Sequence, residues 1–121
     1  LSTAFPDSLY DIFTWNEFEK WQPALQFFNV GNPDYQLLNA AVFYFTNIYR
    51  DNHKKSLLRF STGLRNAAVY HSLQMSEKGF YNHINPHNKK MRDPMTRIRT
   101  FGIESTYYAE NINKEFALDY K

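Results

Sequence analysis

The chain has 121 residues, 43% of them apolar and 18% aromatic, a formal net charge of +2 and no cysteine. This length and composition fit one packed domain rather than a disordered chain, and so small a charge gives no basis for binding nucleic acid or a membrane through electrostatics alone. The missing cysteines remove disulfides, thiolate-bound zinc and thiol nucleophiles; no apolar run is long enough to cross a bilayer, and any export signal lies outside these residues.

The first thirty residues carry a dense apolar set that includes Leu9, Phe13, Trp15, Phe18, Trp21 and Phe28. Their spacing predicts helix, with Asp7 or Ser8 as its cap. Pro23 would split that region in two, because a mid-helix proline loses a hydrogen bond and clashes with the preceding turn. Gly31-Asn32-Pro33 closes it. Asp34 is placed to cap a second helix running to about His53, with Leu38, Ala41, Val42, Phe45, Ile48 and Tyr49 as its inward stripe.

After a polar loop over 52–56 and the Leu57-Leu58-Arg59-Phe60 run, Ser61 is placed to cap a third helix. Its inward stripe is Leu64, Ala67, Ala68, His71 and Met75, and Gly79 is its stop. Residues 80–90 are rich in Asn, His and Pro and predict an irregular, functional loop. Asp93-Pro94 then starts a short helix with Ile98 and Phe101 inward and Gly102 at its end. Ser105 to Asn113 has the β-branched and aromatic content of a strand. The tail from Lys114 to Lys121 fits no single element.

His83 and His87 stand four apart, a spacing that suits zinc on a helix face, but Pro86 argues against helix there. His71 lies on a buried stripe, where a histidine more often serves as a structural hydrogen-bonder than as a ligand. Glu110 sits in the expected strand and must either face solvent or find a partner. Lys89, Lys90, Arg92, Arg97 and Arg99 form the one concentrated basic stretch, either a solvated face or a site for an anionic partner.

The order of these pieces from Asn39 to Asn113 resembles the bacterial, cysteine-free branch of the CAP superfamily, the cysteine-rich secretory, antigen 5 and pathogenesis-related 1 group. The resemblance rests on Ala67-Ala68-Val69-Tyr70-His71-Ser72 with Met75, on Gly79-Phe80-Tyr81-Asn82-His83-Ile84-Asn85-Pro86, on Asp93-Pro94-Met95-Thr96-Arg97-Ile98, and on Ala109-Glu110-Asn111-Ile112. It implies an α+β fold, an α-β-α sandwich that is here abbreviated and mostly helical. Residues 1–33 would be an added helical segment packed on the core, and 34–121 a partial CAP-like domain.

The resemblance further implies a cleft where two histidines and two glutamates converge. His83 matches the first histidine and Glu110 the first glutamate, with His71, Asn111 and Arg97 in supporting places and Arg97 bracing the loop. The later glutamate and histidine have no match in this chain. A divalent metal such as zinc is therefore expected only if those groups are supplied, His83 being the best ligand, and no other cofactor is expected. With half of the tetrad, His83 and Glu110 are expected to form a charge-assisted hydrogen bond.

By the same resemblance the chain is expected to be extracellular or displayed at a cell surface, with a lipid anchor as one way of holding it there. It would bind a lipid, a sterol or a host protein rather than act as an enzyme. A metal-dependent hydrolase and a polyanion binder using Lys89, Lys90, Arg92 and Arg99 are the alternatives.

Overall fold

The computed structural model describes residues 5–21 and 34–114, and divides the chain into two compact units, Leu1–Phe60 and Ser61–Lys121. The breaks expected at Pro23 and Gly31-Asn32-Pro33, and all of the tail beyond Lys114, lie outside the described residues.

In the first unit a 3-10 turn, Asp7–Asp11, precedes α1, Trp15–Lys20. The cap expected at Asp7 or Ser8 is instead at Thr14, whose hydroxyl accepts from the Glu17 N–H while the Glu17 carboxylate accepts from the Thr14 N–H. That reciprocal pair satisfies two donors that the first turn leaves open. Helix α2, Tyr35–Asn52, starts where expected, with Asp34 accepting from the Leu37 N–H at 3.0 Å.

The core of this unit is Phe5, Tyr10, Phe18, Ala40 and Tyr44. The Phe5 ring meets those of Tyr10, Phe18 and Trp21 edge-on at 5.0, 5.8 and 5.4 Å. Edge-on pairs of this kind contribute about 0.5–1.5 kcal/mol each beyond their area. Trp15 and Trp21 pack at its margin. The Tyr44 hydroxyl donates to the Leu9 carbonyl at 3.3 Å.

These contacts correct the expected face of α2. The helix is apolar on two sides, and the aromatic segment covers the side bearing Ala40 and Tyr44, where Asn47 is also buried. Leu38, Val42, Phe45 and Tyr49 are left exposed, at 39 to 66%.

In the second unit α3, Thr62–Lys78, is capped by Ser61 and stopped by Gly79 in the left-handed conformation, both as expected. Ala67 and His71 are buried, whereas Leu64 and Ala68 of the expected stripe are exposed. Helix α4, Pro94–Thr100, carries a capping box from Asp93 and Thr96 and buries Arg97 and Ile98.

The expected strand is not formed: residues 103–114 have no regular structure apart from a bend, and the described residues include no strand. Alternating side chains are not enough for a strand, which exists only when a neighbour accepts and donates its backbone hydrogen bonds. The β layers of the sandwich are accordingly not seen among the described residues, which form a helical arrangement.

Candidate functional site

The loop between α3 and α4 is built by asparagine. Asn82, Asn85 and Asn88, spaced three apart, each accept through the side-chain oxygen from the backbone N–H two residues on. Three successive turns of this kind give the loop its shape without a backbone ladder. Asn85 is 1% exposed and its amide donates to Gln74 of α3. Asn88 donates to the Tyr70 hydroxyl at 2.8 Å.

Arg97 enters this loop from α4 and is 0% exposed. Its Nη1 donates to the carbonyls of Met91 and Arg92, and its Nη2 to the His83 carbonyl and to both oxygens of Glu110, at 2.8 Å in each of those three contacts. The planar, always charged guanidinium suits this role, since it aims several donors at fixed angles.

His83 completes the cluster. Its Nδ1 lies 2.9 Å from Glu110 Oε1 and donates to that carboxylate. The His83 side chain is 49% exposed and that of Glu110 20%. Burial pushes the Glu110 carboxyl upward, but hydrogen bonds from Arg97 and His83 and the Arg97 charge outweigh it and hold the group below its ordinary range. The carboxylate is therefore ionised and accepts through both oxygens.

His71 is buried next to this cluster, and its Nε2 donates to the Asn82 carbonyl at 2.8 Å. Its Nδ1 is buried and has no hydrogen-bond partner among the described residues. Burial lowers its pKa, the hydrogen bond to Asn82 works the other way, and the Arg97 charge adds to the lowering. A neutral ring with one bound N–H fits this environment; an imidazolium would need a second acceptor.

The remaining candidates fall elsewhere. His87 is exposed and its ring centre lies 5.6 Å from that of Phe80. His53 ends α2 and stacks on Tyr49. Among the described residues no three His, Cys, Asp or Glu side chains are grouped to hold a metal ion. Lys89, Lys90, Arg92 and Arg99 are exposed and make no ion pair among the described residues. Asn111 lines a cavity of about 360 Å³ together with Leu64, Ala68, Ile98, Tyr107 and Glu110. Sequence reasoning missed Asn85 and the Asn82-Asn85-Asn88 repeat, whose regular spacing was the available signal.

A family model described as CAP, the cysteine-rich secretory protein family, matches residues 43–120. The chain belongs to the CAP family. It is a cysteine-free member. No curated protein and no solved structure matches the chain. The matched stretch contains His71, His83, Arg97, Glu110 and Asn111, so the cluster of the second unit is built from CAP-family sequence. None of the described helices is long and apolar enough to cross a membrane.

Proposed function

We propose that this CAP module is a non-catalytic binding protein, working outside the cell or at its surface, that takes an apolar ligand such as a lipid or sterol into the cavity beside Glu110. The observation that carries the reading is the state of Glu110. A general base needs a pKa near the working pH, whereas the hydrogen bonds from Arg97 and His83 hold the Glu110 carboxyl below its ordinary range. Glu110 has both oxygens on Arg97 and one also on His83. Its role is to hold the 80–92 loop against the extended segment through a fully buried cation. The apolar wall of Leu64, Ala68 and Ile98 then supplies the contact surface, and its volume lies in the range of small-molecule sites.

Calorimetric titration with zinc, beside a lipid and sterol panel, tests this. Saturable lipid or sterol binding that weakens in Ala68→Leu supports it. Tight stoichiometric zinc binding together with a hydrolytic rate that disappears in Glu110→Gln would sink it. A second reading, binding of a polyanion, is favoured by the exposed charges of Lys89, Lys90, Arg92 and Arg99, which make no ion pair among the described residues.

A further inference from the structure

The first unit contains a cavity of about 570 Å³, none of whose lining residues belongs to the cluster around Glu110. Its wall is aromatic: Tyr10, Phe13, Trp15 and Phe43 line it. The Tyr10 ring lies parallel to that of Phe60 with centres 3.7 Å apart and edge-on to that of Phe43 at 5.2 Å. The remaining side is the 57–60 run, fixed by Asn47, whose amide donates to the Leu58 carbonyl and accepts from the Leu58 N–H. The wall is therefore held in place by two-sided hydrogen bonding to one residue, not by loop contacts alone.

Two exposed charges also line it, the carboxylate of Asp11 and the guanidinium of Arg59. They do not pair with one another, and neither makes a hydrogen bond or ion pair among the described residues. Aromatic faces attract a cation that has no N–H to donate, and an adjoining carboxylate adds to that attraction. A guanidinium is the side chain best suited to grip a phosphate through two oxygens. A ligand that joins a quaternary ammonium to a phosphodiester or phosphomonoester uses all three features, whereas a simple cation meets repulsion from Arg59 and a simple anion from Asp11.

We infer that this cavity binds a phosphocholine group, the ammonium against Phe13, Trp15 and Phe43 beside Asp11, and the phosphate on Arg59. The site is independent of the cavity beside Glu110, and its failure leaves that reading untouched.

Calorimetry with free phosphocholine, backed by tryptophan fluorescence because Trp15 lines the site, is the test. The expected result is saturable binding in the micromolar to low millimolar range. Asp11→Asn and Arg59→Gln, both at exposed positions, should each weaken it by about tenfold with unchanged circular dichroism. Choline alone should bind more weakly and depend on Asp11 only, and inorganic phosphate should depend on Arg59 only. Phosphatidylcholine vesicles distinguish the source: binding to both forms assigns a lipid headgroup, and binding to the free form alone assigns a soluble phosphocholine compound. No saturable binding of free phosphocholine, binding to vesicles alone, or affinity unchanged in both variants would overturn the inference.

Discussion

A single nitrogen of Arg97, Nη2, lies 2.8 Å from both oxygens of Glu110, and the arginine side chain is 1% exposed. Removing one member of such a buried pair leaves the other uncompensated, at about 3–5 kcal/mol. Arg97→Met also frees the carbonyls of His83, Met91 and Arg92, so it should be the most destabilising change in the cluster. Glu110→Gln should come second, because the arginine keeps its carbonyl acceptors. His83→Ala should cost under about 1 kcal/mol, since its bond to Glu110 is largely solvent-exposed. Denaturant titration of the three variants checks the order; equal losses for His83→Ala and Arg97→Met would mean that the imidazole braces the loop as much as the guanidinium does.

Stability should fall in acid in two stages. His71 has its pKa lowered in the folded chain from 6.5, so the unfolded chain takes up its proton first. Its contribution is complete above pH 6.5 and is lost as pH falls below that value toward the folded pKa. Glu110, lowered from 4.5, contributes fully above pH 4.5 and loses that contribution as pH falls further. Thermal midpoints across pH 7 to 3 should show both stages in the natural sequence, and His71→Gln should remove the first alone. A midpoint that is flat from pH 7 to 5 in the natural sequence would contradict the neutral, buried assignment of His71.

What the sequence disclosed and what it withheld separate by range. Asp34, Ser61, Gly79 and Asp93 each act on backbone within a few residues, and each ends or starts a helix where its chemistry places it. The hydrogen bond between His83 and Glu110 was accessible only through the family resemblance, because 27 residues separate the two. The face of α2 was not accessible, since Ala40 and Tyr44 make as good an apolar stripe as Leu38, Val42 and Phe45. Contact with Phe5, Tyr10 and Phe18 decides between them. The alternation over 105–113 likewise could not report whether another strand lies alongside. By contrast the Thr14-Trp15-Asn16-Glu17 capping box is as local as these four and is legible in the sequence.

Two glycines of the second unit should respond differently to alanine. A Cβ on Gly63 would stand 2.8 Å from the Phe101 carbonyl oxygen and 2.8 Å from Ile103 Cδ1. The carbonyl is backbone and cannot swing away, so Gly63→Ala should force the start of α3 from the turn after α4, at about 1–3 kcal/mol. Gly79 has open space around it but a φ of +68°, so Gly79→Ala meets only the left-handed penalty of about 1 kcal/mol. Gly79→Asn should recover part of that loss, because asparagine tolerates this conformation. Denaturant midpoints should therefore rank Gly63→Ala lowest; a Gly63→Ala protein as stable as the natural one would show that α3 and the turn after α4 do not approach as closely as described.

The basic stretch allows the polyanion reading to be separated from the lipid reading by salt. Lys89, Lys90, Arg92 and Arg99 are exposed, whereas Arg97, in the same run of sequence, is buried and committed to Glu110. The usable positive charge is thus four side chains at most. Neutralising that many phosphates gives a log–log salt slope of up to about 3.6 for duplex DNA, and less for a single strand. Lys89→Ala combined with Lys90→Ala should remove about half of that slope, and Arg97→Met none of it beyond any loss of folding. If binding to heparin or nucleic acid is present and follows this pattern, the surface is a polyanion site. If binding is insensitive to salt or to both lysines, the four charges are a solvated face, and ligand recognition belongs to the apolar wall of Leu64, Ala68 and Ile98 instead.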